Sequence, residues 1–472
     1  MKKLIALILA LGILLSLCAC EKPVPESDNP NSGKGTPALS NNDGSSVDGN
    51  KIGTTQDGSL SLLCRLQDNH KGCTTDSGYY YFTSDITRLP DGQLATHLMY
   101  MDFATQQEIY LCNNAACSHN TVDCTSVFLT DDFPPNSTLL FVWNSNLYIM
   151  SKEADHDGSL IGLFDGSTAI DVLDSNSHSI ESNPTTIYQA KLDGTDRDKV
   201  YTFDSTVTVE DFVVGDVSGL YFITKKLATQ QSNGNGYQTS SERKLVYLDL
   251  SAKTETAICS VDFDDNISWS VIGCSDRSLV LYGIDFGREV SPEEIHKKDT
   301  DVFDDSYDVF ANLDVDSGTM KEIYRVYAPK ARYFEMDANN LYFSIAGDGS
   351  ITSVNLHTGQ QTELCKIPQD ALFGIIGDKL YTRDGSDYTY YFIDVNTGEI
   401  SHSGLVNKSL GWSLDIIAEA GDQVLTIYDY DATPKGDGSY TINGYQYGLI
   451  NKEDLYAGRD NFIPINMIGK GM

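Results

Sequence analysis

The chain has 472 residues, 40% of them hydrophobic, with 39 Gly, 27 Tyr and 18 Phe; such a composition builds strands and turns and excludes a coiled coil or a wholly disordered chain. Against 33 Lys and Arg stand 67 Asp and Glu, a formal net charge of −34. A surface so acidic repels phosphate backbones and anionic headgroups, which excludes general nucleic-acid binding.

In chain order, residues 1–19 come first: Lys2 and Lys3, an apolar run from Leu4 to Leu17, then Cys18 and Ala19. The run is too short for a spanning helix and is followed at once by a charged, proline-rich stretch, so it reads as a signal peptide. Leu17-Cys18-Ala19-Cys20 resembles the lipobox of bacterial lipoproteins, with Leu17 three positions before the acceptor and small Ala19 beside it. The resemblance implies cleavage before Cys20 and its diacylglyceryl modification. Membrane attachment would then rest on the lipid, because the protein's own charge opposes it, and two acyl chains suffice where one is marginal. Residues 20–61 contain no aromatic residue and are rich in Ser, Asn, Gly and Pro, the composition of a flexible tether.

From residue 62 to 472 the texture is short aromatic and β-branched runs separated by Gly, Asp, Asn and Ser, which predicts strands and hairpins in a single all-β domain. An early loop holds Cys112, Cys117, His119 and Cys124 in the spacing Cys-x4-Cys-x-His-x4-Cys. With Cys64, Cys73, Cys259, Cys274 and Cys365 also in the chain, the alternatives are one or two disulfides pinning this loop, a structural zinc site on the three thiols and the imidazole, or free thiols. The spacing is not that of a standard zinc finger or ribbon. Asp155-His156-Asp157-Gly158 has the look of a calcium loop, but Glu153 and Phe164 occupy its first and twelfth positions, so it reads as an acidic turn. Other acidic loops, at Asp131-Asp132, Asp262 to Asp265, Asp301 to Asp308 and Asp429 to Asp431, would hold calcium only weakly. No other cofactor is expected.

A two-part pattern recurs along the chain: an apolar-aromatic run, a loop, and a strand ending in Asp or Asn before a Thr-Gly-like turn. Its clean copies run from Leu341-Tyr342-Phe343 to Asn355 through Gly359, and from Leu380-Tyr381 to Asp394 through Gly398. Weaker copies turn at Asp102, Asp193, Asp249 and Asp314, and a last one falls at Asn451 to Asp454. Seven units of about forty residues or more predict a seven-bladed β-propeller, each unit a four-stranded blade. The acid is expected to cap turn amides and the glycine to supply positive φ. The repeat resembles that of TolB-like and YWTD-like β-propellers in bacterial lipoproteins of Gram-positive type, over residues 62–462, and the cysteine block resembles a segment of the same lipoproteins. The chain lacks the YWTD tetrapeptide, which leaves six or eight blades as alternatives.

Catalytic motifs are absent: no Gly-x-Ser-x-Gly elbow, phosphate loop, His-Glu-x-x-His helix or dinucleotide fingerprint is found. The expected protein is a monomeric, non-catalytic binding or scaffolding module on the outer face of the cell membrane, recognising a protein, peptide or glycan. The competing expectation is a polysaccharide hydrolase or lyase using carboxylates on the propeller axis. Tyr428, Tyr430, Tyr440, Tyr445 and Tyr447, mixed with Asp429 and Asp431, are candidates either for ligand stacking or for covering a blade face.

Overall fold

The computed structural model describes residues 58–65, 72–134, 137–152, 184–227, 231–232, 237–238, 241–262, 267–288, 306–327, 332–345, 349–367, 372–383, 387–436 and 438–469. Cys20, the rest of residues 1–57 and the Asp155-His156-Asp157-Gly158 turn lie outside them. Among the described residues no helix is long and apolar enough to cross a membrane.

Seven antiparallel sheets of four or more strands follow one another along the chain: blade I (73–110), II (138–202), III (212–260), IV (267–327), V (332–366), VI (372–403) and VII (415–464). The protein is a seven-bladed β-propeller. Each apolar-aromatic run that marks a repeat is the second strand of its blade, and the Asp turn follows the third strand. The first strand therefore precedes the recognisable pattern and the fourth follows it. In blade VII the place of the turn is taken by the short helix Lys452–Tyr456.

Side chains on successive strand residues point to opposite faces, and in a ring of blades both faces are buried. Tyr79 and Tyr81 pack with Leu425, Ile427 and Tyr447 of blade VII, while Tyr80 and Phe82 pack with Leu140, Val142 and Ile149 of blade II. Val213 and Val214 divide in the same way between blades II and IV. Seven such apolar clusters occupy the seven junctions between neighbouring blades. This is why the aromatic runs show so little alternation with polar residues.

The repeated turns join neighbouring blades as well as closing hairpins. Asp394 Oδ1 accepts from the amides of Asn396 and Thr397, and Asn355 Oδ1 from those of His357 and Thr358, so capping is what these residues do. Gly398 has φ +72°, and a Cβ there would stand 2.3 Å from the Leu364 carbonyl oxygen on the outer strand of the preceding blade. The glycine thus serves both the backbone conformation and the blade-to-blade approach.

Strands alternate in direction, so the connections fall into two sets at opposite ends of the blades. Short turns at one end include 144–145, 276–277 and 421–422; the longer connections, such as 111–137, 152–185 and 286–306, leave from and return to the other. Strand Ser61–Arg65 pairs antiparallel with Phe212–Gly215, the first strand of blade III, and also packs on Thr138–Trp143 and Ile267–Ser275, the first strands of blades II and IV. It therefore lies inside the ring. Ser61 stands opposite Gly215, so the chain comes into the ring from the short-turn end. There Arg277 ties blades III and IV together by donating to Asp216 at 2.7 Å, Asp316 at 2.6 Å and the Gly58 carbonyl at 2.8 Å.

The ring closes at the C-terminus. Residues 463–464 form the outer strand of blade VII, and the chain then crosses to blade I, where Asn466 donates to the Gln106 carbonyl and accepts from the Glu108 amide. The buried Glu108 carboxylate accepts from the amides of Ile468 and Gly469 and from the Tyr81 hydroxyl.

Candidate functional site

The long loop from blade I to blade II brings Cys112, Cys117, His119 and Cys124 together, with their four ligand atoms within 4.8 Å of one another. The loop is built for this. Asn114 accepts from the amides of Ala116 and Cys117, making a tight turn before Cys117, and Cys124 closes a second turn onto the Thr121 carbonyl. His119 takes a left-handed conformation, φ 53°, which His adopts more readily than most residues. Its amide donates to Cys117 Sγ at 3.4 Å, and its Nδ1 lies 3.3 Å from Cys124 Sγ. Tyr110 stacks on the His119 ring at 4.2 Å and 17°, and His97 Nε2 donates to the His119 carbonyl at 2.8 Å. Burial, with His97 nearby, keeps the imidazole toward its neutral form. Burial likewise pushes Cys124 up to about 11. Cys112 is also raised by burial, but the Asn114 amide and the neighbouring Cys124, Cys117 and Thr125 outweigh that and hold it below the ordinary thiol value. All eight described cysteines are free thiols, the other five being dispersed over the N-terminal strand and blades I, III, IV and V.

The axis is the second place to look. Leu60, Leu62 and Leu63 of the N-terminal segment fill the junctions of blades II, III and IV from inside. Acids beside the first strands are engaged: Glu210 by Arg243, Asp211 by Lys152, Asp216 by Arg277, and Glu419 by Lys452. Asp415 accepts from the Tyr430 hydroxyl. Burial pushes the Glu210 carboxyl above its ordinary value against the pull of Arg243.

The long-connection end carries a third feature. Tyr447 and Tyr430 are buried and cover blade VII, as packing residues do. Tyr440 is exposed, and the exposed Trp412 stands 6.3 Å from it and 6.3 Å from Tyr430, edge-on to both. Trp412 lies just before the first strand of blade VII, its carbonyl held by Asn407 at 2.9 Å. The tyrosines stood out in the sequence; Trp412 did not, and its only signal is a lone Trp between Gly411 and Ser413. Among the acidic loops, Asp131, Asp132 and Asp262 are exposed, Asp308 is buried and accepts from Tyr282, and residues 263–266 and 301–305 lie outside the described set.

No family model and no curated protein matches this chain. Solved structures that resemble it are distant. An acylaminoacyl peptidase of Pyrococcus horikoshii is 10% identical with a TM-score of 0.46, over 87% of this chain and 52% of that one, so this chain spans about half the peptidase. The β-propeller domain of the Trilobed protease from Pyrococcus furiosus is 8% identical, with a TM-score of 0.40, over 87% and 98%. An oligogalacturonate lyase in complex with manganese is 11% identical, with a TM-score of 0.39, over 84% and 99%.

Proposed function

We propose that the protein is a lipid-anchored, extracytoplasmic binding module that presents the long-connection end of its propeller to a protein, peptide or glycan. The observation that carries this reading is the N-terminal strand inside the ring, which residues 58–60 enter from the short-turn end. Anchoring through Cys20 would attach the tether at that end and leave the opposite end, with Trp412 and Tyr440, clear of the attachment point. An exposed Trp–Tyr pair offers flat apolar faces to a sugar ring or an extended peptide. Glu210, Asp211, Asp216 and Glu419, beside the first strands, are each paired with an Arg or Lys, which favours binding over acid–base hydrolysis by these four.

The test is a screen of the full chain and its Trp412→Ala variant against cell-wall glycans, other polysaccharides and peptide libraries, with product release followed in the same wells. Saturable binding without products, weakened about tenfold or more by the substitution, is expected. Release of new reducing ends or unsaturated sugars would overturn the reading and make Glu210 the first carboxylate to replace.

A further inference from the structure

From the convergence of Cys112, Cys117, His119 and Cys124 we infer that the loop between blades I and II holds a structural zinc ion in a three-sulfur, one-nitrogen shell. Zinc–sulfur bonds of about 2.3 Å and zinc–nitrogen bonds of about 2.0 Å place the vertices of a tetrahedron roughly 3.5–3.8 Å apart. Four atoms already gathered within 4.8 Å need only small side-chain rotations to reach that spacing.

The donor count argues against disulfides as the reason for the cluster. Three thiols are an odd number, so one bridge among them strands the third, and it gives the position of His119 beside Cys124 no role. A metal uses all four groups. Three soft thiolates with an imidazole suit zinc in preference to calcium or magnesium, which take oxygen donors. Four protein ligands leave no open vertex, so the ion would hold structure and would not activate water.

Groups around the cluster fit an outer shell. His97 and Tyr110 fix the backbone and ring of His119, the His119 amide points at Cys117 Sγ, and Ser126 Oγ lies 3.4 Å from Cys124 Sγ. Such contacts orient ligands and stabilise thiolate charge. Binding releases the three thiol protons to solvent and leaves a site of net charge −1: three thiolates, a neutral imidazole and Zn²⁺. Arg197, reaching over from blade II to donate to the Thr125 carbonyl at 3.2 Å, brings a positive charge beside it. The ion would thus pin the loop that carries the chain from blade I to blade II, where Cys124 packs with Leu89, Ala95 and Val127.

The experiment is metal analysis of the full chain purified under reducing conditions without chelator, followed by replacement with cobalt. About one zinc per chain is expected, and the cobalt form should show the intense visible bands of a tetrahedral site with thiolate charge transfer in the near ultraviolet. Cys117→Ser and His119→Ala should each lower metal affinity at least about 10-fold, whereas Cys259→Ser and Cys365→Ser leave it unchanged. The cobalt spectrum of the unsubstituted chain decides the matter even where a variant fails to fold. A metal-free chain that takes up no cobalt, a six-coordinate cobalt spectrum, or Cys112, Cys117 or Cys124 recovered in a native disulfide would each overturn the inference.

Discussion

Replacing Gly398 with Ala tests the idea that the repeated turn is a blade-to-blade contact. The left-handed backbone at φ +72° costs an L-residue about 1–2 kcal/mol. The new methyl also meets the Leu364 carbonyl oxygen at 2.3 Å and its carbon at 3.2 Å, so the outer strand of blade V must retreat by roughly 1 Å, an overpacking of about 1–3 kcal/mol. Lower chain entropy in the unfolded state returns about 0.4–1 kcal/mol. A net loss of about 2–4 kcal/mol follows, read from the urea midpoint by both fluorescence and circular dichroism. Gly359 has the same conformation, φ +70°, but its nearest neighbour, the Ile323 carbonyl oxygen, is 3.0 Å away, so Gly359→Ala should lose less. Gly404, with nothing within 4 Å, is the control and should stay within about 0.5 kcal/mol of the parent. Equal midpoints for the variants at 398 and 404 would refute the contact argument.

The other predictions concern the ring's ties and its outer end. Asp216 is buried, which opposes its ionisation, but Arg277, Ser218 and Tyr221 outweigh burial and hold its carboxyl at about 2. Its folded value is below its unfolded one, so its stabilising contribution is complete above about pH 4 and lost as pH falls toward 2. Arg277→Gln should therefore lower the thermal midpoint at pH 7 and flatten its fall between pH 4 and 2; an unchanged acid profile would count against the bridge. Glu108→Gln turns an amide hydrogen toward a cluster of donors and should cost about 1.5–3 kcal/mol, with faster hydrogen exchange confined first to blades I and VII; uniform exchange would refute the C-terminal closure. Trp412→Ala, by contrast, removes an exposed ring and should move stability by less than about 1 kcal/mol while weakening ligand capture; a large drop in melting temperature would reassign it to packing.

Much of this architecture is written locally. The runs at Tyr79, Leu341 and Leu380, and the turns at Asn355 and Asp394, belong to hairpins whose partners lie within a few tens of residues, so each repeat signals itself and seven signals give seven blades. The spacing of Cys112, Cys117, His119 and Cys124 named the cluster as well, because its members share one loop. What only the tertiary structure decided is long-range. The strand Ser61–Arg65 begins at the expected start of the β domain, but nothing in it announces that it pairs with residues 212–215 and reaches the Ile272 carbonyl through Arg65. Glu108 and residues 466–469 meet only when the ring is closed, and Trp412 finds Tyr440 only because blade VII extends its hairpin beside the preceding loop. Pairings across such distances leave no local periodicity; they are selected when the junctions between blades exclude water together, a property of the closed ring and of no single segment.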